Sequence, residues 1–255
     1  MNDNKRTKVI AGNWKMNKLP SETAPFVKEI AAYAENVKCT VIVCVPFVCL
    51  SAALYAAQGT NVKVGAQNCH WEKSGAFTGE ISADMLKDMG VNYVIIGHSE
   101  RRQYFGETDL TVNKRLKAAL GAGLLPIVCI GETLEQRNLG ITNEILSQQV
   151  KVALGGIDIS QMKNIIIAYE PVWAIGTGVT ASSEQANSAC KCIRNCVKEL
   201  YNEEVSNKII IQYGGSMNTK NAQELLAMED IDGGLIGGAA LKSADFGTLI
   251  TIANK

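Results

Sequence analysis

Strand-type and helix-type segments alternate along nearly the whole chain. Eight short runs are rich in Val, Ile and Ala, which is typical of parallel strands buried on both faces. Helix-type spacing of apolar residues follows several of these runs, and a connection of that length joins parallel strands. Eight such units in 255 residues close most simply into a (β/α)8 barrel, with eight parallel strands inside and helices outside. The predicted strands are 8–14, 40–45, 62–66, 93–97, 126–130, 165–169, 209–213 and 234–237. The predicted helices include 22–35, 110–120, 144–154, 184–201 and 219–228.

Composition limits the class of protein. With 47% hydrophobic and 20% charged residues, the chain is an ordinary globular sequence large enough for one core, and no linker divides it, so we expect a single domain, 1–255. Lys plus Arg and Asp plus Glu both number 25, which argues against a nucleic-acid or membrane partner. The polar amino end and the lack of an apolar run of about 20 residues predict a cytoplasmic protein.

The eight cysteines are expected to be reduced thiols, because they are dispersed along a large chain without a secretory segment. Cys190, Cys192 and Cys196 lie close together, but they lack paired CxxC spacing and share a helix face with apolar residues, which favours core packing over a metal site. One further hypothesis is that Lys191 and Arg194 lower the pKa of the Cys192 thiol.

Glu170 is the first candidate for chemistry. It ends a predicted buried strand, and Pro171 and an apolar loop containing Gly176 and Gly178 follow it, a composition that predicts a lid over residues 171–179. An isolated Glu is more often a solvated turn residue, but a general base benefits from a loop that excludes water. Ser182 and Gln185 have capping-box spacing, so the next helix is expected to begin there.

Other polar residues and glycines follow the remaining strands, where a barrel places its active site. Two Gly-Gly pairs follow the seventh and eighth strands, at positions 214–215 and 237–238, where barrels commonly bind phosphate through backbone N–H groups. Each pair on its own could equally be a tight turn. The strand-end residues are Asn13, Lys15, Gln67, Asn68, His98, Gly131, Glu132, Gly214, Gly215, Ser216, Gly237 and Gly238.

His98 and Lys15 complete a catalytic set with Glu170. His98 precedes a predicted helix, whose N-terminus disfavours the imidazolium, so we expect a neutral proton donor rather than a histidine with only a structural role. Lys15 would place a fixed cation beside a phosphate or an oxyanion. A base, a neutral donor and a cation suit proton transfer next to a carbonyl through an enediolate. No metal-ligand cluster or dinucleotide fingerprint stands out, so we expect no cofactor and no metal. His70, the other histidine, is expected to be structural.

The chain resembles the triosephosphate isomerase family over almost its full length. Seven segments in order carry the resemblance: AGNWKMN at 11–17, GAQNCH at 65–70, GAFTGEIS at 75–82, IIGHSERR at 95–102, AYEPVWAIGTG at 168–178, YGGS at 213–216 and GLIGGAALK at 234–242. The resemblance implies the interconversion of dihydroxyacetone phosphate and D-glyceraldehyde 3-phosphate, a step of glycolysis and gluconeogenesis.

The resemblance also implies a role for individual residues. Glu170 would be the base, His98 the neutral electrophile and Lys15 the group that stabilises the enediolate. The implied substrate-binding residues are Asn13, Lys15, Gly176, Ser216, Gly237 and Gly238.

A homodimer is implied as well. Residues 75–80 would insert into the partner subunit, with Thr78 supporting the partner's site and Met16 in the interface. Arg101 and Glu107 would form a buried ion pair on that side of the site.

The chain departs from the family pattern at three positions and leaves two alternatives open. Val179 replaces a basic residue, Gly234 an aromatic one and Ala240 a serine, which bears on the lid and on local packing. One alternative is another phosphosugar barrel enzyme such as an aldolase, although the later strands contain no central lysine for a Schiff base. The other is a non-catalytic phosphate-binding protein on the same barrel.

Overall fold

Eight parallel strands form a closed barrel in the computed structural model, which describes residues 6–174 and 180–255. Each strand pairs with the next in chain order, and the first pairs with the last, so the predicted fold is confirmed. The strand bounds differ from those predicted by at most one residue at either end. The strands are β1 (Val9–Asn13), β2 (Thr40–Val45), β3 (Val62–Ala66), β4 (Tyr93–Ile96), β5 (Leu125–Ile130), β6 (Ile166–Tyr169), β7 (Ile210–Tyr213) and β8 (Gly233–Ile236).

Eleven α-helices lie outside the barrel in the described part of the chain. The last of the predicted helices, 219–228, is much shorter than expected. Its first residues instead form a turn, in which the Asn218 N–H donates to the Asn221 side chain at 2.8 Å, and such local bonds compete with the helix. The helices are α1 (Pro20–Tyr33), α2 (Leu50–Ala57), α3 (Ala83–Asp88), α4 (Ser99–Tyr104), α5 (Asp109–Gly121), α6 (Leu134–Asn138), α7 (Thr142–Ala153), α8 (Ser183–Leu200), α9 (Glu203–Lys208), α10 (Ala222–Ala227) and α11 (Ser243–Ala253).

Apolar side chains pack in two layers. One lies inside the barrel and includes Ala11, Ile42, Ile95, Ile127 and Leu235. The other fills the space between strands and helices. Because the interior is filled, ligands have access to the barrel only at its ends, and the side chains that follow the strands form one of those ends.

Two of the three departures from the family pattern lie in this packed region. A Cβ added at Gly234 would lie 2.6 Å from Sδ of the buried Met217, so Met217 occupies the space that a larger residue at 234 would need. Ala240 packs against Gly12, whose added Cβ would lie 2.9 Å from the Ala240 Cβ. Val179, the third, lies outside the described residues.

All eight cysteines lie in the described residues and are unpaired thiols. Cys190 and Cys196 are buried, as the core-packing prediction requires, whereas Cys192 is half-buried. The hypothesis of a lowered Cys192 pKa is wrong: burial raises that pKa, and the nearby Glu144 and Glu199 raise it further. Among residues 6–174 and 180–255, no helix combines the length and apolar character needed to cross a membrane.

Candidate active site

One cavity at the carboxyl ends of the strands brings together the predicted catalytic residues. Its volume is about 270 Å³, and Asn13, Lys15, His98 and Glu170 line it together with both glycine-rich loops. Glu170 follows β6 and His98 follows β4. Lys15 follows β1, and the two glycine pairs follow β7 and β8. The cavity is therefore lined by titratable side chains and by glycines.

The position of Glu170 is fixed by the neighbouring strand. Its N–H donates to the Ile130 carbonyl at 2.7 Å, directly after β6. The chain passes so close at Gly131 that an added Cβ there would lie 1.7 Å from the Glu170 carbonyl oxygen. Gln149 holds Gly131 in place, since its side chain accepts from the Gly131 N–H at 2.7 Å and donates to the Gly131 carbonyl at 3.1 Å. Only glycine fits here.

The Glu170 carboxylate is almost completely buried and accepts hydrogen bonds from several donors. These are the Ser99 N–H at 2.9 Å, the Ser99 hydroxyl at 3.2 Å, Nε2 of His98 at 2.9 Å and the Cys129 thiol. Burial raises the pKa of Glu170, but His98, Ser99 and Cys129 together lower it below its usual value. The carboxylate is therefore ionised at neutral pH, as a general base must be.

His98 caps the amino end of α4. Its Nδ1 accepts the Glu100 N–H at 3.3 Å, which leaves the proton of a neutral imidazole on Nε2, facing Glu170. Burial lowers the pKa of His98, but the charge and hydrogen bond of Glu170 and the charge of Glu100 outweigh it, so the pKa lies above its usual value. This direction opposes the prediction that the helix end keeps His98 neutral. The tautomer matches the predicted donor, and Glu170 is the main group that favours a second proton.

Lys15 projects into the cavity from a strained backbone. Its φ of +52° is in the left-handed region, where its N–H donates to Oδ1 of Asn13 at 3.0 Å. The Gln67 side chain donates to the Lys15 carbonyl at 2.9 Å and stabilises the same turn. The Lys15 ammonium pairs with Glu100 at 2.7 Å. Sequence reasoning placed Lys15 and Gln67 at the strand ends but missed Glu100, although it lies in the recognised segment at 95–102.

The two glycine pairs line another part of the cavity, and the first pair lies against Glu170. A Cβ added at Gly214 would lie 2.9 Å from Cγ of Glu170, and a Cβ added at Gly215 would lie 2.3 Å from Oη of Tyr213. Side chains at these two positions would therefore displace Glu170 or the end of the strand. A 3-10 helix, Gly238–Leu241, begins at the second pair, and its first residues line the cavity. The first N–H groups of a helix have no partner within it. Ser216 and Gly237 line the same part of the cavity. Backbone N–H groups there suit a phosphate.

The first residues of the predicted lid are anchored at Glu132. This buried carboxylate accepts the Trp173 indole N–H at 2.9 Å and the Tyr169 hydroxyl at 3.1 Å, and Arg137 pairs with it at 3.4 Å. Residues Val172–Ala174 form a 3-10 turn. The sequence placed Glu132 at a strand end but missed this anchoring role. Gly176, Gly178 and the rest of the lid lie outside the described residues.

Ser182 and Gln185 do form the predicted capping box at the start of α8. His70 is buried, accepts the Glu72 N–H at 3.0 Å and stacks on Trp71, which fits the structural role expected of it.

Of the residues assigned to a dimer, Thr78 and the rest of the loop 75–80 are exposed, and Met16 is 96% exposed. Arg101 donates to the buried Glu107 carboxylate, as predicted, although Arg101 itself is partly exposed. A second cavity of about 210 Å³ lies next to Met16 and Arg101 and shares Asn13, Lys15 and His98 with the first.

The fold and the site define a (β/α)8-barrel enzyme that holds an ionised carboxylate, an imidazole and an ammonium around one glycine-lined cavity. The family model described as "Triosephosphate isomerase" matches residues 8–253. The triosephosphate isomerase of Acetivibrio thermocellus is 57% identical over 241 residues, which are 94% of this chain and 96% of that protein. That of Clostridium botulinum is 54% identical over 245 residues, covering 96% and 99% of the two chains.

A crystal structure of triosephosphate isomerase from Bartonella henselae superposes with a TM-score of 0.89 at 40% identity, covering 97% of this chain and 99% of that one. The chain belongs to the triosephosphate isomerase family.

Proposed function

We propose that this chain is an isomerase that interconverts dihydroxyacetone phosphate and D-glyceraldehyde 3-phosphate, a step of glycolysis and gluconeogenesis. The observation that carries the proposal is the convergence of Glu170, His98 and Lys15 on one glycine-walled cavity. Each group supplies one requirement of an aldose–ketose proton transfer, and the reaction is that of the family. The whole chain, 1–255, forms the one domain that performs it.

In the proposed mechanism Glu170 removes a proton from C1 of dihydroxyacetone phosphate and returns it to C2. The carboxylate must first leave Ser99, because both donors of that residue now occupy its oxygens. The electron pair of the broken C–H bond moves toward the carbonyl oxygen and forms an enediolate. The proton on Nε2 of His98 stabilises that oxygen, and Lys15 supplies the positive charge.

The substrate phosphate binds at the phosphate wall, which is the part of the cavity formed by the two glycine pairs and Ser216. Backbone N–H groups of Gly237 and Gly238 and the Ser216 loop receive it, while Asn13 and Lys15 hold the reacting end. Gly176 adds a further N–H when the lid, 171–179, closes. Closure excludes water, which protects the enediolate phosphate from losing its phosphate group.

The test is the rate of isomerisation of D-glyceraldehyde 3-phosphate, without added metal or cofactor, in the wild type and in Glu170→Gln. Loss of a general base lowers kcat by about 10²–10⁴-fold, while KM changes little because the phosphate wall is intact. Glu135→Gln, at the exposed start of α6, is the matched control and retains full activity. A folded wild type that binds inorganic phosphate but turns over no substrate would favour the non-catalytic phosphate-binding alternative.

We also propose a cytosolic homodimer. Met16 and, on the loop 75–80, Phe77, which is 44% exposed, present apolar surface, and Met16 lines a cavity next to the catalytic residues. Insertion of the loop from a second copy would bring its Thr78 close to Asn13 and Lys15.

Sedimentation velocity of the wild type and of Thr78→Arg tests this interface. The wild type is expected to sediment as a dimer, and the variant as a monomer with reduced activity, because the arginine would have to be buried without a partner. A wild type that stays monomeric at high concentration would contradict the proposed dimer while leaving the reaction untouched.

A further inference from the structure

The chain that leaves β5 passes beside Glu170 and the first residues of the lid. The Ile130 carbonyl accepts the Glu170 N–H at 2.7 Å, and the Glu132 carbonyl accepts the Val172 N–H at 3.2 Å. Gly131 lies between these two bonds, and a Cβ added there would lie 1.7 Å from the Glu170 carbonyl oxygen. Three consecutive residues therefore hold both the base and the start of the lid.

The backbone of Gly131 itself bonds to a side chain. The pairing of β4 with β5 ends at Ile96 and Val128, and the chain of β4 then turns into α4. Beyond that point Gln149 bonds to Gly131: its Oε1 accepts the Gly131 N–H at 2.7 Å, and its Nε2 donates to the Gly131 carbonyl at 3.1 Å. Gln149 belongs to α7, so the partner of this segment comes from outside the barrel.

The amide of Gln149 supplies the pair of bonds that a strand would otherwise give. A carboxamide carries both an acceptor and donors, so one planar group can bond to the N–H and the carbonyl of a single residue. Gly131 is buried, and buried backbone polar groups are nearly always paired. A cavity of about 750 Å³ adjoins both residues. An apolar side chain in place of the amide would leave two buried groups unpaired, and this part of the chain has room to shift toward water.

We propose that Gln149 is a positioning residue, which fixes Glu170 and the start of the lid relative to each other; this role rests on the isomerase function proposed above. The carboxylate of Glu170 must leave Ser99 to reach the substrate, so the backbone at Glu170 is the pivot of that movement. The Val172 backbone is the corresponding fixed point of the lid. Without Gln149, both points shift together with Gly131.

The experiment compares steady-state kinetics of the wild type and of Gln149→Met, both folded by circular dichroism. The methionine side chain has a similar length and can make neither bond to Gly131. We expect kcat to fall by about 10–100-fold, the upper value being the loss for a displacement of about 1 Å, with little change in KM. Gln148→Met, at an exposed position on α7 that lines the same cavity, is the matched control and keeps wild-type kinetics.

Release of inorganic phosphate during turnover reports on the lid in the same samples. An enediolate exposed to water can break its C–O bond to the phosphate, so that the electron pair leaves on inorganic phosphate and methylglyoxal is the carbon product. Because the Val172 bond to Glu132 loosens together with Gly131, Gln149→Met should release more phosphate per isomerisation than the wild type. A side chain that only stabilised the fold would lower Tm and leave kcat and this ratio unchanged.

Gln149→Glu is a second variant, whose effect depends on pH. A neutral carboxyl can accept from the Gly131 N–H and donate to the Gly131 carbonyl, whereas the ionised form has acceptors only. The titratable side chains that line this cavity in the described part of the chain are Arg102, Tyr104 and Asp109, and Arg102 pairs with Asp109 at 2.5 Å. The kcat of Gln149→Glu, divided by that of the wild type at the same pH, should therefore rise as the pH falls. The ratio for Gln149→Met should stay constant.

The outcomes separate this role from the reaction itself. A wild type without isomerase activity would overturn the proposed function and this role with it. An active wild type with unchanged kcat and phosphate release in folded Gln149→Met would overturn the positioning role alone. If Gln149→Met does not fold, a kcat ratio for Gln149→Glu that is independent of pH would overturn it instead.

Discussion

Gly131 is the position where a single added methyl group tests how Glu170 is held. The Cβ of an alanine there would lie 1.7 Å from the Glu170 carbonyl oxygen, and real Cβ atoms essentially never approach a heavy atom within 3.0 Å. The two strand ends must therefore separate by at least about 1.3 Å. Misplacing a catalytic group by about 1 Å lowers the rate by about 100-fold. Gly131→Ala is thus expected to reduce kcat by about 100-fold and to destabilise the fold by about 1–3 kcal/mol, as overpacking does.

The assay separates misplacement of the base from loss of the fold. Steady-state kinetics on protein that is folded by circular dichroism should show the loss in kcat and little change in KM, because the phosphate wall does not contact Gly131. Gly121→Ala, with open space around its Cβ, is the control and keeps wild-type kinetics. Adding Gln149→Ala to Gly131→Ala removes the side chain that clamps the loop and should restore part of the rate. Activity of Gly131→Ala within threefold of the wild type would refute the reasoning.

Three further predictions concern the pKa of His98, the pKa of Glu170 and the packing beneath the phosphate wall. Because Glu170 raises the pKa of His98, NMR titration of the imidazole should give a lower pKa in Glu170→Gln, and an unchanged pKa would remove Glu170 as its cause. The folded-state pKa of Glu170 lies below the ordinary 4.5. The stability that the ionised carboxylate contributes is therefore present above pH 4.5 and is lost as the pH falls through the lowered pKa. Urea unfolding in that acidic range should depend more steeply on pH in the wild type than in Glu170→Gln. Gly234→Ala should lower the free energy of unfolding by about 1–3 kcal/mol through its contact with Met217. Adding Met217→Ala should relieve part of that loss, whereas a double variant whose loss equals the sum of the two single losses would contradict the contact.

The barrel could be predicted from sequence because its signals are local. Each strand is a short apolar run that ends at a glycine, a proline or a polar residue. In the structure each strand ends within one residue of the end that this pattern predicts. Helix starts were predicted less well. Asn218 and Asn221 turn the chain by their own hydrogen bonds, which an apolar spacing pattern does not register, so α10 begins only at Ala222.

The interior of the site could be predicted only in part. Position after a strand was sufficient to select Lys15, His98 and Glu170, because a closed barrel brings all strand ends to one rim. Which side chains contact one another depends on strand stagger and rotamers, and these are set by the whole barrel. Ser99 is 71 residues from Glu170 in sequence, yet it supplies two of the hydrogen bonds to the carboxylate. Glu132 likewise gains its role only when Trp173 and Tyr169 are brought to it.

The order of the strands explains how a buried carboxylate can be both stabilised and available. Among the described residues, the donors to Glu170 come from β5, next to β6 in the barrel, and from the end of β4, one strand further away. The glycine pairs follow β7, on the other side of β6, and β8, and Lys15 follows β1. A substrate held at the glycine pairs can therefore meet the carboxylate only after the carboxylate has left Ser99, whose two donors occupy both of its oxygens. The carbonyl oxygen of that substrate needs the same Nε2 proton of His98 that Glu170 accepts in this structure. Binding of the carbonyl oxygen to that proton removes one of the interactions that lower the pKa of Glu170, so substrate binding itself makes the carboxylate a stronger base.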